Sequence, residues 1–220
     1  MATKKYRIED GHHIIESISQ SLLNIKLDDS FSEAIDLMIK CNENNGKIIT
    51  TGMGKAGIAM QKFSSILRSV SFPSVYIHPG ESSHGDLGII CPDDILFVAS
   101  TSGMTREVLE TIELAKHIGV AKVIGVTSHP DSPIRDKADV TIDMGVIKEA
   151  GYLHIAPTSS IIVMTAITDC LALICAKERE ITFDDYAKCH HSGYLGQVAR
   201  SKSTSSYKHD IPVDDITSTL

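Results

Sequence analysis

Three short stretches of this sequence set small, hydroxyl and charged residues where they could hold and transform an anionic substrate. GMGKAG, at residues 52–57, fits GxGxxG after an apolar run and ahead of a helical pattern, so its backbone could approach a phosphate at a helix N-terminus. A dinucleotide would also need an acid at the end of the following strand for its ribose, and that strand ends in His78-Pro79, which argues against NAD. The second stretch, Ser100-Thr101-Ser102-Gly103-Met104-Thr105-Arg106-Glu107, carries four hydroxyls in six residues just before a helix. Hydroxyls and free backbone N–H groups there could surround a phosphate monoester while the helix dipole favours its charge, although Ser and Thr also serve at this place as ordinary caps. The third stretch, residues 148–160, brings Glu149 and a second hydroxyl cluster, Thr158-Ser159-Ser160, to the start of a long apolar helix. A lone acid is most often simply solvated, so Glu149 draws its interest from the company it keeps.

Ten histidines raise the question of a metal. No HxxxH or HxH pair puts two ligands on one face, and the adjacent His190-His191 would diverge on a helix, so a required metal is not expected, although adventitious Zn²⁺ could sit at His84 or His190. His78 reads as structural, and His12, His13, His117 and His209 as surface residues.

The elements that must position these stretches alternate. Short apolar strands are expected at residues 47–51, 74–77, 95–99, 122–127 and 140–143, with helices such as 58–70 and 106–117 between them. Strands separated by helices need crossover connections. The expected fold class is therefore α/β: a doubly wound, mostly parallel five-stranded sheet with helices on both faces, flavodoxin- or Rossmann-like, with ligands beyond the carboxyl ends of the strands. Two helices over 10–42 precede the α/β core at 47–180. The first runs to about Leu27 on Ile14, Ile15, Ile18, Leu22 and Ile25; the second starts at a Ser30–Glu33 capping box and stops at Asn44-Asn45-Gly46. A long helix over 157–177 has Pro157 in its first turn, and Thr182 with Asp185 caps a C-terminal helix over 182–200. Residues 1–200 form one domain, and residues 201–220, rich in Ser, Thr and Asp, are expected to be a loosely ordered tail.

Composition narrows the partners. At 220 residues and 23.9 kDa the chain suits one core that buries about 70% of its unfolded surface without staples. The five cysteines are odd in number and lack a CxxC pair, which points to reduced thiols and a cytoplasmic protein. With 21 basic against 28 acidic side chains and no Trp, the chain has neither the charge nor the stacking platforms of a nucleic-acid binder. The start MATKKYRIEDGHHII has no signal-peptide apolar core. The longest apolar run, 161–176, contains Thr165, Thr168 and Asp169 and falls short of the roughly 20 residues of a membrane span, so it reads as a buried helix.

GMGKAG, HPGESSHGDLG, STSGMTRE, Lys148-Glu149 with APTSS downstream, and the spacing of Tyr186-Ala187 to His190 and Leu195-Gly196 occur here in one order. Together, over about residues 10 to 200, they closely resemble the sugar isomerase (SIS) domain of D-arabinose 5-phosphate isomerases, which begin 3-deoxy-D-manno-octulosonate (Kdo) synthesis. The resemblance implies interconversion of D-arabinose 5-phosphate and D-ribulose 5-phosphate through an enediol, with no cofactor. It implies a catalytic set of Lys55, Glu107, Glu149 and His190, and substrate contacts from Gly54, His84, Ser100, Thr101, Ser102 and Thr105. In that assignment Glu149 is the carbon base, His190 serves ring opening and oxygen proton transfer, Lys55 polarises substrate oxygens, and Glu107 orients a hydroxyl or shares the acid/base work. A buried carboxylate suits the base role, because desolvation raises basicity. The sequence departs from the family at Ala56, Met104 and His191-Ser192-Gly193, where Ser, Glu and Pro-Gly-Gly are common. A form without the CBS domain pair is expected, with Kdo or CMP-Kdo as candidate feedback inhibitors. A homo-oligomer, expected to be a tetramer, follows from family habit and from apolar helices near both ends of the chain, with His190 reaching a neighbour's site. Other classes stay open at this point: a noncatalytic phosphosugar sensor, or an isomerase of another phosphosugar.

Overall fold

The computed structural model describes residues 2–203, so the expected tail lies outside the described residues beyond its first three positions. Five strands, β1 (Ile48–Gly52), β2 (Ser74–Tyr76), β3 (Ile95–Ala99), β4 (Lys122–Thr127) and β5 (Val140–Asp143), form one sheet in the order β2-β1-β3-β4-β5. Every pairing is parallel, with Ile48 beside both Ser74 and Ile95 and Gly52 beside Ala99. All residues of β1 and β3 are buried, as expected of strands covered on both faces. Alternation along β3 divides the interior. Ile95, Phe97 and Ala99 join the core that contains residues of α2 (Asp29–Glu43), α3 (Gly54–Ser69) and α6 (Ser159–Glu178), while Leu96 and Val98 join that of α4 (Arg106–Ile118) and α5 (Pro133–Lys137). The doubly wound α/β class and three of the five strand ranges match the sequence reading. β1 is shifted by one residue and β2 is one residue shorter.

Several helix ends differ, each for a local reason. α1 (Ala2–Leu23) starts well before residue 10 and stops short of Leu27; it packs on α6, yet Tyr6, Ile8, Ile15 and Leu23 are exposed in the single chain. α2 is capped by Asp28, which accepts the Ser30 N–H at 3.0 Å and the Ser30 hydroxyl at 2.6 Å. A carboxylate outcompetes a hydroxyl at a helix N-terminus, so the Ser30–Glu33 box does not form. Pro157 lies just outside α6, whose N-cap is Thr158. By length and a mean hydropathy of 2.0, α6 could cross a membrane, although half of that stretch is buried in the protein. Its one acid within the apolar run, Asp169, pairs with Lys62 of α3. The C-terminal helix is two helices, α7 (Phe183–Cys189) behind the expected Thr182–Asp185 capping box and α8 (Gly193–Lys202), with His190–Ser192 between them and Gly193 at φ +78°. All five cysteines are free thiols.

Candidate active site

In a sheet of this order the connections leave β1 and β3 toward opposite faces, which opens a crevice at their carboxyl ends. GMGKAG follows β1 and STSGMT follows β3, so topology alone brings the first two stretches together. A cavity of about 540 Å³ lies there, lined among others by Lys55, Ser100, Thr101, Ser102, Thr105, Glu149 and Ser160. Both helices that open onto it lack a side-chain cap, α3 behind Met53 and α4 behind Thr105. That bears on the two readings of the hydroxyl loop. The Thr105 hydroxyl turns 2.8 Å to Ser100 Oγ, and Ser100 and Ser102 take the N–H groups of Gly103 and Met104, so none of them caps the α4 N–H groups. Uncapped first-turn N–H groups beside hydroxyls are able to receive an anion. Within GMGKAG, Gly57 serves packing instead: a Cβ there would overlap Gly52 O and meet Tyr76 Oη at 2.7 Å.

Glu149 is partly exposed, where the sequence reading asks for a buried base. It lies in the β5–α6 loop and reaches across the start of α6. Its Oε2 accepts the Thr158 N–H at 2.8 Å, the Ser160 N–H at 3.3 Å and the Thr158 hydroxyl at 3.3 Å, and its Oε1 is bonded to the Ser160 hydroxyl. The carboxylate thus completes a helix N-terminus while one edge faces the cavity, and His154 Nδ1 sits 2.7 Å from the Glu149 carbonyl, closing the loop. The APTSS hydroxyls hold the acid in place.

Gly54, His84, Glu107 and His190 are not in the cavity wall of a single chain. Glu107 stands in the first turn of α4, where its carbonyl accepts the Thr111 hydroxyl; that hydroxyl also meets Ser82 of the HPGESSHG loop at 2.8 Å. His84 ends a short 3₁₀ turn in that same loop and is exposed. His190, between α7 and α8, stacks on Tyr186 with ring centroids 4.0 Å apart and its Nδ1 3.0 Å from the Tyr186 carbonyl. Among the described residues, no three His, Cys, Asp or Glu side chains gather as a metal site.

The family model for the SIS domain matches residues 42–174, well over half of the chain. The chain belongs to the SIS domain family. It is 37% identical over 172 residues to the arabinose 5-phosphate isomerase KdsD of Pseudomonas aeruginosa, covering 78% of this chain and 52% of that one, so it spans about half the length of that curated relative. Among solved structures, a Bacteroides fragilis protein described as a phosphosugar isomerase involved in capsule formation superposes with a TM-score of 0.83 at 38% identity, over 86% of this chain and 99% of the other. An Escherichia coli CFT073 protein in complex with arabinose 5-phosphate gives 0.76 at 28% identity, over 85% and 97%. The SIS cavity here also takes in residues the sequence reading passed over, notably Met53, Ser128, His129, Val146 and Ile147. Ser128 and His129 follow β4 at its carboxyl end. The strand-end rule that picked out the loops after β1 and β3 would have found them; they stand apart from any glycine or hydroxyl cluster.

Proposed function

We propose that this SIS protein is an aldose–ketose isomerase that interconverts D-arabinose 5-phosphate and D-ribulose 5-phosphate. The observation that carries the reading is a cavity in which an uncapped helix N-terminus beside a cluster of hydroxyls meets a lysine and a positioned carboxylate. The named activities of relatives, and the arabinose 5-phosphate held by a structural neighbour, support the choice of sugar.

In this mechanism the phosphate rests against Ser100, Ser102, Thr105 and the first N–H groups of α4. Lys55 polarises the carbonyl oxygen at C1 or C2. Glu149 removes the proton from C2 of the aldose to give the enediol and returns it to C1, and the reverse reaction exchanges the two roles. No electrons leave the substrate, so the cycle needs no redox partner. Glu107 and His190 complete the acid/base set from outside the single-chain cavity. His190 comes from a neighbouring subunit of a homo-oligomer, a reading supported by its absence from its own chain's cavity wall and by the exposed apolar side chains of Phe183, Tyr194 and Leu195 around it. A cytoplasmic setting suits five unpaired thiols, and Kdo or CMP-Kdo remains a candidate inhibitor of the same cavity.

The test is a coupled assay for ribulose 5-phosphate from arabinose 5-phosphate, run beside ribose, glucose and heptose phosphates. Turnover of arabinose 5-phosphate well above the others is expected. Tight binding of a phosphosugar without turnover would replace the enzyme by a sensor.

A further inference from the structure

One group in the cavity wall is used neither by the hydroxyl loop nor by the acid/base set. His129, in the loop between β4 and α5, lines the same 540 Å³ cavity as Ser100, Thr101, Ser102 and Thr105. We propose that His129 is a phosphate-binding residue, its Nε2–H donating to the phosphate held by residues 100–105. This deepens the phosphosugar reading and rests on it.

Charge gives the first argument. Of the side chains that line the cavity, only Lys55 and His129 can carry a positive charge, and Glu149 carries a negative one. Lys55 is committed to the reacting end of the sugar, which leaves a dianionic phosphate facing neutral hydroxyls. Two of those hydroxyls, on Ser100 and Thr105, already share a hydrogen bond with each other.

The second argument is that the two loops are locked together. Thr101 O accepts the Ser128 N–H at 3.0 Å and the Thr127 hydroxyl at 3.3 Å. Gly103, at φ +64°, lies so close to Ser132 that a Cβ would overlap its hydroxyl. Arg135 Nε donates to the His129 carbonyl at 2.9 Å while its guanidinium pairs with Asp143 at 3.0 Å, so the backbone at His129 is anchored from α5 and β5. These bonds fix the backbone from which the His129 side chain reaches the cavity it shares with the hydroxyl loop.

The tautomer follows from the ring's own partner. Nδ1 of His129 accepts the Asp131 N–H at 3.3 Å, which puts the hydrogen of the neutral ring on Nε2. An imidazolium also carries a hydrogen there. Nε2 is therefore a donor in either protonation state.

Calorimetry with inorganic phosphate and steady-state kinetics with arabinose 5-phosphate, on the full chain and on His129→Leu and His129→Gln, test the assignment. In His129→Leu the phosphate Kd and the substrate KM should each rise about tenfold, the scale of one hydrogen bond to a charged group, with kcat within about twofold of the parent. Glutamine keeps an N–H donor, so His129→Gln should recover most of the loss. A thermal midpoint matching the parent checks the fold; His129 is exposed, and His129→Ser carries the same test should the leucine variant aggregate. Parent-like phosphate Kd and KM in His129→Leu would overturn the proposal, as would a fall in kcat at unchanged KM. A protein that isomerises no sugar phosphate but loses phosphate affinity in His129→Leu would sink the isomerase reading and leave this one standing. An active isomerase indifferent to His129 would do the reverse.

Discussion

Glu149 serves two purposes with its two oxygens. Oε2 takes three donors from the start of α6, whereas Oε1 meets only the Ser160 hydroxyl. Oε1 is thus the oxygen with lone-pair capacity left for a substrate proton, and the other anchors it. Replacing Glu149 by Gln keeps the shape and removes the proposed base, so turnover should fall by about 10² or more, and so should that of His190→Ala. Exchange of the C2 proton with solvent deuterium reads the step itself: a Glu149→Gln variant that exchanges at the parent rate would exclude Glu149 as the base. The sequence made Glu149 visible only through its neighbours. It could not show that the APTSS hydroxyls turn to the carboxylate, because that depends on how the β5–α6 loop folds back on the helix.

Among the elements, the uncapped start of α4 is the proposed seat of the phosphate. Ser100→Ala, Ser102→Ala or Thr105→Ala should raise KM for the phosphosugar more than it changes kcat, since phosphate contacts are shared by ground and transition states. Unphosphorylated arabinose, tried as a second substrate, should show no such change. Gly103→Ala should be harsher, because it forces a side chain into the left-handed region and onto Ser132 at once, and should remove phosphate binding measured by calorimetry. At the other end of the chain, α7 depends on an acid. The Asp185 carboxyl is drawn from 3.8 down to about 2, first by the Thr182 hydroxyl and then by Lys188. A carboxyl lowered in the folded state adds stability above its unfolded value, and that contribution is lost as pH falls from about 4 toward 2. NMR titration should find Asp185 low in the parent and returned toward its ordinary value in Thr182→Ala. Strands β3, β4 and β5 were readable to the residue because each is a compact apolar run with clear punctuation. α5, at five residues, is too short to show a period, and the break at His190–Ser192 hides between two helical patterns that run on in phase.

For the whole molecule, the proposed catalytic set is divided. Lys55, Glu149 and the hydroxyl loop meet in one chain, and His190 does not join them. Two inactive variants, His190→Ala and Glu149→Gln, mixed under conditions that exchange subunits, should regain part of the activity, because some mixed sites carry both parent residues. A monomer by light scattering with full activity at the same concentration would end that reading. A sequence can mark both residues but not assign them to the same or different copies, since assignment is a property of the assembly. The far end of the sheet has a different task. There Asp94, almost fully buried, accepts the backbone N–H groups of Lys47 at 2.9 Å and Cys91 at 2.7 Å and pairs with Lys47 Nζ at 2.5 Å, tying together the entries to β1 and β3. Asp94→Ala should lower the thermal midpoint strongly, because it strands a lysine and two N–H groups. Durability and the proposed chemistry thus occupy opposite ends of the same two strands. In a saturation screen scored for both abundance and growth that requires the product to be made by this protein, substitutions at Asp94 should fail both, whereas those at Ser102 should fail only growth. A scaffold partitioned in this way leaves its catalytic rim free to diverge toward new sugars without first endangering its own persistence.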